Sequence, residues 1–295
     1  MAFRIITLGD SVTWGQGLLE DEKFDQLVLQ VLLPLHPEGV TLERFAHSGA
    51  IIGPGPGRTA TNGEVPVSSP TILAQLALVP TPETADLVIL NGGINDVGLA
   101  RILNPLAVIP SLQNRVEDAC HKGMRNLLRA ASAAFTKTSC RILVTGYYTI
   151  LSDQSDPLRI PDLLDLHGTA VSGFMAEAKF FDLLADRCEE FFQRSEAALQ
   201  AAVADVADPR ITFVSSGFTD ANAIFVPATT LLWGLTPDLD PEDPAAAARR
   251  PECDLTFNKP IDFLRREQCY RASAGHPNVD GAKQYAAKIC AALGV

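Results

Sequence analysis

This sequence predicts an α/β fold: a parallel β-sheet with helices on both sides. Three observations point to it. Short apolar runs alternate with amphipathic stretches along the chain. The runs lack strict polar alternation, as strands covered on both faces do. They also end in clusters of small and polar residues, as strands do where an open parallel sheet forms its functional crevice.

Phe3–Leu8 is the first strand, and Phe24, Leu27, Val28, Val31 and Leu32 behind it keep the i, i+3, i+4, i+7, i+8 spacing of a covering helix. Leu42–Ala46 reads as the second strand and Leu87–Leu90, in "DLVILNGG", as the third. Ile142–Val144 in "CRILVTGYY" and Ile211–Val214 in "RITFVSSG" supply the fourth and fifth. Ala282, Ala286, Ile289 and Leu293 predict a closing helix. Strand–helix alternation of this kind folds into a parallel sheet.

Two segments exceed what such a sheet needs, and a third is irregular. Residues 53–70, "GPGPGRTATNGEVPVSSP", predict an irregular, mobile loop; they lack the Gly-Lys-Ser/Thr ending of a phosphate-binding loop. Residues 151–207 begin as a polar loop and continue as a long helical pattern through Phe174, Phe181, Leu184, Cys188 and Phe191, an aromatic stripe that reads as core or lid packing. Residues 218–270 are rich in proline and acid. The last two segments read as insertions over one sheet edge within a single domain spanning 1–295, because the pattern after 278 returns to the core.

Of the 295 residues 47% are hydrophobic, ample for a core. The net charge of −11, from 35 acids against 24 bases, repels nucleic acid and anionic membrane surfaces. No stretch approaches the ~20 apolar residues of a membrane span. The chain starts as a strand without a leader, which points to the cytoplasm; a secreted chain whose leader has been removed stays open. Six scattered cysteines without a Cys-x-x-Cys read as reduced, buried thiols. Cys253 and Cys269 flank one loop-like stretch, and their pairing in an oxidising compartment is the alternative. The five histidines show no metal-binding spacing, and no cofactor is called for.

The chemistry lies at the strand ends. Gly9-Asp10-Ser11 follows the first strand, His47-Ser48-Gly49 the second, and Gly93-Ile94-Asn95-Asp96 the third; Gly275-His276-Pro277-Asn278 leads into the last helix. Singly these are turns and caps. Together they meet the needs of acyl transfer: a hydroxyl, a base, and donors aimed where an oxyanion develops. Ser11 is the nucleophile candidate and His276 the base, with Pro277 starting the helix behind it. The Ser11 N–H, the Gly49 N–H and the Asn95 amide are the oxyanion donors. Asp10 braces the turn, and Asp96 is a supporting cap. Trp14 and Trp233 are candidates to wall an acyl or alcohol pocket.

In order and spacing these residues resemble the SGNH, or GDSL, hydrolases. "GDSVTWG" resembles the family's first block, "HSGA" its second, "GIND" its third and "GHPN" the end of its fifth. The resemblance implies a three-layer α/β/α sandwich with a five-stranded, flavodoxin-like sheet, and a serine esterase or lipase working through an acyl-enzyme. It implies a small-molecule ester as substrate: an acyl ester, a lipid or an acetylated sugar. An acyltransferase acting on a sugar or other alcohol, and a catalytically impaired binding protein, are the alternatives. The Gly-x-Ser-x-Gly of the other serine-hydrolase layout is absent.

One departure stands out. The family's Asp-x-x-His is Ser273-Ala274-Gly275-His276 here. Such an acid fixes the imidazole tautomer and stabilises the imidazolium. A main-chain carbonyl near Ser273 would leave a Ser–His dyad; an acid from elsewhere, Asp280 or Glu267 being nearest in sequence, would restore a triad; with neither, catalysis would be weak. We favour the dyad.

Overall fold

The computed structural model describes residues 2–55, 57–106, 108–166 and 178–295. Five parallel strands, β1 (Phe3–Leu8), β2 (Val40–Arg44), β3 (Leu87–Leu90), β4 (Arg141–Thr145) and β5 (Ile211–Val214), form one sheet in the order β2-β1-β3-β4-β5. Registers such as Ile5 beside Leu87 and Val88 beside Ile142 align the strand ends along one edge. The central strands are apolar throughout because both faces are covered: Ile5, Ile6, Leu87–Leu90 and Ile142–Val144 have no exposed surface.

Helices complete a three-layer sandwich. In chain order they are α1 (Ser11–Trp14), α2 (Phe24–Leu32), α3 (Ile72–Leu78), α4 (Ile94–Val97), α5 (Leu99–Ile102), α6 (Ile109–Val116), α7 (Met124–Ala134), α8 (Ile160–Leu166), α9 (Ala178–Val206), α10 (Ala246–Thr256), α11 (Phe263–Tyr270) and α12 (Val279–Leu293). α2 lies against α12, while α7 packs on both α3 and α9. α9 also touches α6 and β5. Its Phe191 is buried against Tyr147, and Phe181 packs on the core; Phe174 lies outside the described residues.

Three expectations need correction. The second strand runs from Val40 to Arg44, two residues earlier than its apolar pattern suggested. Phe45 still donates to the Thr7 carbonyl (2.9 Å), but Ala46 lies outside the strand, just ahead of the Ser48–Gly49 turn. The described residues of the 53–70 segment are tied to the fold: Val65 and Val67 are buried in a second apolar cluster with Phe257, and Arg58 pairs with Asp262 at 2.7 Å. Cys253 and Cys269, expected as thiols, form a disulfide inside that cluster, joining α10 to α11; Cys120, Cys140, Cys188 and Cys290 are free and buried.

A cluster this small relies on its cross-link, which shortens a 16-residue separation in the unfolded chain. Reducing the bridge, or replacing both cysteines with alanine, is expected to lower stability by about 2–4 kcal/mol. Urea unfolding with and without reductant reads the difference; an unchanged midpoint would mean the bridge closes no loop that matters.

Candidate active site

The turn after β1 is built for one conformation. Gly9 has φ +147°, and a Cβ there would meet Asn91 Oδ1 at 2.4 Å, so only glycine fits. Gln75 of α3 holds this glycine twice: Gly9 N–H donates to Oε1 (2.8 Å) and Nε2 donates to the Gly9 carbonyl (2.9 Å). Asn91 Oδ1 accepts from Asp10 N–H at 3.2 Å and from the Thr13 hydroxyl at 2.5 Å. Asp10 caps α1 by accepting from Val12 N–H at 2.9 Å, which leaves Ser11 as the first helical residue.

Asp10 is also the foot of a brace. The Tyr147 hydroxyl donates to its Oδ2 (2.8 Å) and accepts from Ile94 N–H (3.1 Å), tying the serine turn to the start of α4. Burial raises the Asp10 carboxyl to about 6, against opposing hydrogen bonds from Val12, Tyr147 and Asn91. On α4, Asn95 Nδ2 donates to the Ala50 carbonyl (3.0 Å) and Asp96 Oδ2 accepts from Ile52 N–H (3.0 Å). These bonds seat the Ser48–Gly49 turn beside α4. Gly49 has φ +78°, and a Cβ there would strike Val67 N at 2.6 Å. His47 beside it is structural, its ring nitrogens facing the Ser48 and Ala60 carbonyls.

His276 arrives on a separately supported loop. Its carbonyl accepts from Trp233 N–H (2.8 Å), Gly275 N–H donates to the Trp233 carbonyl (2.9 Å), and the Tyr148 hydroxyl donates to the Gly275 carbonyl (2.9 Å). Asn278 then caps α12. The outcome is a 2.7 Å contact between His276 Nε2 and Ser11 Oγ. Burial pushes the imidazole down to about 4; the Ser273 and Ala272 carbonyls and Asp243 raise it, and Arg249 lowers it. The residue as a whole is half-buried and lines the cleft. Nδ1 is buried without a hydrogen-bond partner among the described residues.

A cavity of about 520 Å³ opens on these groups, and Ser11, Gly49, Asn95 and His276 all line it. Leu99, Leu103, Tyr148, Ile150 and Leu163 supply an apolar lining, and Arg58, Ser68, Arg265 and Gln268 a polar one. Among the described residues no hydrogen bond takes up the Ser11 or Gly49 amide. No group of three or more His, Cys, Asp or Glu among them is placed to hold a metal.

The fold is that of known hydrolases. A lipase, Lip_vut3 from a goat rumen metagenome, superposes with a TM-score of 0.51 over 99% of this chain and 97% of its own, at 15% identity. Phospholipase A1 from Streptomyces albidoflavus NA297 aligns over 80% of this chain and 89% of its own (TM-score 0.47, 15% identity). A variant of the acetylxylan esterase Axe2 from Geobacillus stearothermophilus aligns over 100% and 96% (TM-score 0.48, 14% identity). No protein-family profile and no curated protein matches the sequence. No described helix is long and apolar enough to cross a membrane.

Several expectations shift at the site. Trp14 does not wall the cavity: its ring lies under Lys23 Nζ at 3.7 Å, and its Nε1 donates to Glu64 at 2.8 Å. Trp233 contributes main chain to the histidine loop, and its side chain does not line the cavity either. Asp280 is exposed and paired with Lys283, and Glu267 pairs with Arg271, so neither acid nearest in sequence reaches His276. Ser273 is wholly buried and donates to Asp243 Oδ2. Sequence reasoning missed Gln75, Asn91, Tyr147 and Asp243. Gln75 left one signal, a polar residue on the buried face of an apolar helix.

Two buried groups pull stability in opposite directions. Native Asp10 keeps a proton up to about pH 6, against an ordinary 3.8, so acid stabilises the fold across that window. Native His276 takes a proton only near pH 4, against an ordinary 6.5, so acid removes stability across its window. Asp10→Asn keeps the cap and deletes the first slope. Its stability should therefore fall more steeply than the native protein's between pH 6.5 and 4 in urea unfolding; parallel declines would contradict the raised Asp10.

Proposed function

We propose that this protein is a serine hydrolase that cleaves carboxylic esters through an acyl-enzyme, one domain of the SGNH kind. The 2.7 Å contact between Ser11 Oγ and His276 Nε2 at the mouth of a cavity carries the reading. The fold likeness to a lipase supports it.

His276 Nε2 accepts the Ser11 proton as Oγ bonds to the ester carbonyl carbon. The carbonyl electron pair moves onto oxygen, where the Ser11 and Gly49 amides and the Asn95 side chain donate to it. The intermediate collapses, the alcohol leaves with the proton from Nε2, and Ser11 remains acylated. Water, deprotonated by the same nitrogen, releases the acid. The apolar lining suits a hydrocarbon part of the ester. The Cys253–Cys269 bridge favours an oxidising compartment over the cytoplasm expected from the first residues.

Ser11→Ala should abolish turnover of p-nitrophenyl butyrate, and a fluorophosphonate probe should label native protein at that single residue. Activity surviving in the variant would sink the assignment. The pH profile is a second check, because His276 acts as a base only when neutral. With its proton affinity held down to about 4, kcat/KM should rise as pH climbs through that region and be level by pH 6. An acid limb centred at 6.5 or above would rule out a buried imidazole as the base.

A further inference from the structure

Ser273 stands where the resemblance expects an aspartate, and an acid does reach that place, from another part of the chain. We propose that Asp243, in the segment before α10, is the positioning acid of His276, holding the base through the Ser273 hydroxyl. The proposal rests on the ester-hydrolase reading for its kinetic consequence but not for its geometry.

Asp243 is 5% exposed and Ser273 not at all. The Ser273 hydroxyl donates to Asp243 Oδ2, while its carbonyl accepts from His276 N–H at 2.8 Å. One residue therefore joins the carboxylate to the base-bearing loop, through its hydroxyl on one side and its carbonyl on the other. The Asp243 charge favours the imidazolium that forms when Ser11 gives up its proton, against the larger opposing effect of Arg249.

Arg249 explains how a carboxylate survives there. Its side chain has no exposed surface, and all of its N–H donors are used: Nε to the Cys269 carbonyl, one terminal nitrogen to Glu64 and Asp243 (3.0 Å each), the other to Asp243 (2.8 Å) and the Tyr270 carbonyl. Bidentate pairing fixes the carboxylate plane. Glu64 continues the chain to the far side of the serine turn, accepting from Gln16 Nε2 (2.7 Å) and Trp14 Nε1 (2.8 Å). Gly17, at the exit of that turn, sits so close to Ser273 and Asp243 that a Cβ would come within 2.9 Å of both. The network thus joins the serine turn to the histidine loop by a route separate from their direct hydrogen bond. The charged groups around His276 are Asp243 and Arg249, with Arg58 and Arg265 lining the same cavity.

Ser273→Ala cuts the link and leaves the Asp243–Arg249 pair intact; Asp243→Asn removes the anion. Sites are counted by fluorophosphonate labelling, kcat and KM are measured per site, and the His276 ring is titrated by NMR. Both variants should lose about tenfold to a hundredfold in kcat with KM within twofold. Both should titrate His276 at lower pH than the native protein, Asp243→Asn the more so because Arg249 then faces the ring uncompensated. A purely structural role would reduce the number of labelled sites without moving kcat per site or the titration, and that result overturns the proposal. Where Asp243→Asn does not fold, Ser273→Ala decides by the same two readings. A shifted titration in a protein that turns over no ester would uphold the positioning link and dismiss the esterase reading.

Discussion

The hydrogen bond from Ser11 to His276 joins residues 265 positions apart, and the architecture answers to that distance. Neither side chain can be placed by local structure alone. Ser11 sits on a four-residue helix that owes its position to β1, and His276 on a loop just ahead of α12. A parallel sheet brings strand ends to one edge whatever their spacing in the chain. It cannot by itself hold two loops within hydrogen-bond reach; that falls to side chains beneath and beside them.

Two sets of buried polar groups carry that task. Beneath the site, Gln75, Asn91 and Tyr147 satisfy the backbone and carboxylate of the Gly9–Ser11 turn and join it to α4. Beside it, Glu64, Arg249 and Asp243 join the turn to Ser273. Both sets lie where water does not compete, so each unmade bond would cost the full desolvation of a polar group. Charges inside the second set raise the stakes: removing one partner of a buried pair costs about 3–5 kcal/mol. Such networks have one good arrangement, which is how they pass a fixed geometry to the residues above them.

Much of this was readable from residue order. Four of the five strands match within a residue at either end, because strands buried on both faces are apolar without interruption. The edge strand β2 is half-exposed, its pattern weakens, and its boundary slipped by two residues. The turn glycines and polar ends stood out because positive φ and close approach leave few choices of residue type. Trp14 misled for the converse reason: proximity in sequence says nothing about which way a ring turns, and this one lies under Lys23.

The sequence by itself determined the sheet, its central strands and the residues that meet at its edge, since these follow from hydrophobic periodicity and from local turn chemistry. Tertiary structure alone decided what supports them. The bridge between Cys253 and Cys269, the packing of Val65 and Val67 with Phe257 and the delivery of Asp243 to Ser273 across 30 residues are pairings between separate segments. No local pattern encodes such a pairing, because a buried aspartate is stabilised by the arginine and serine it meets in space and leaves no period in the chain.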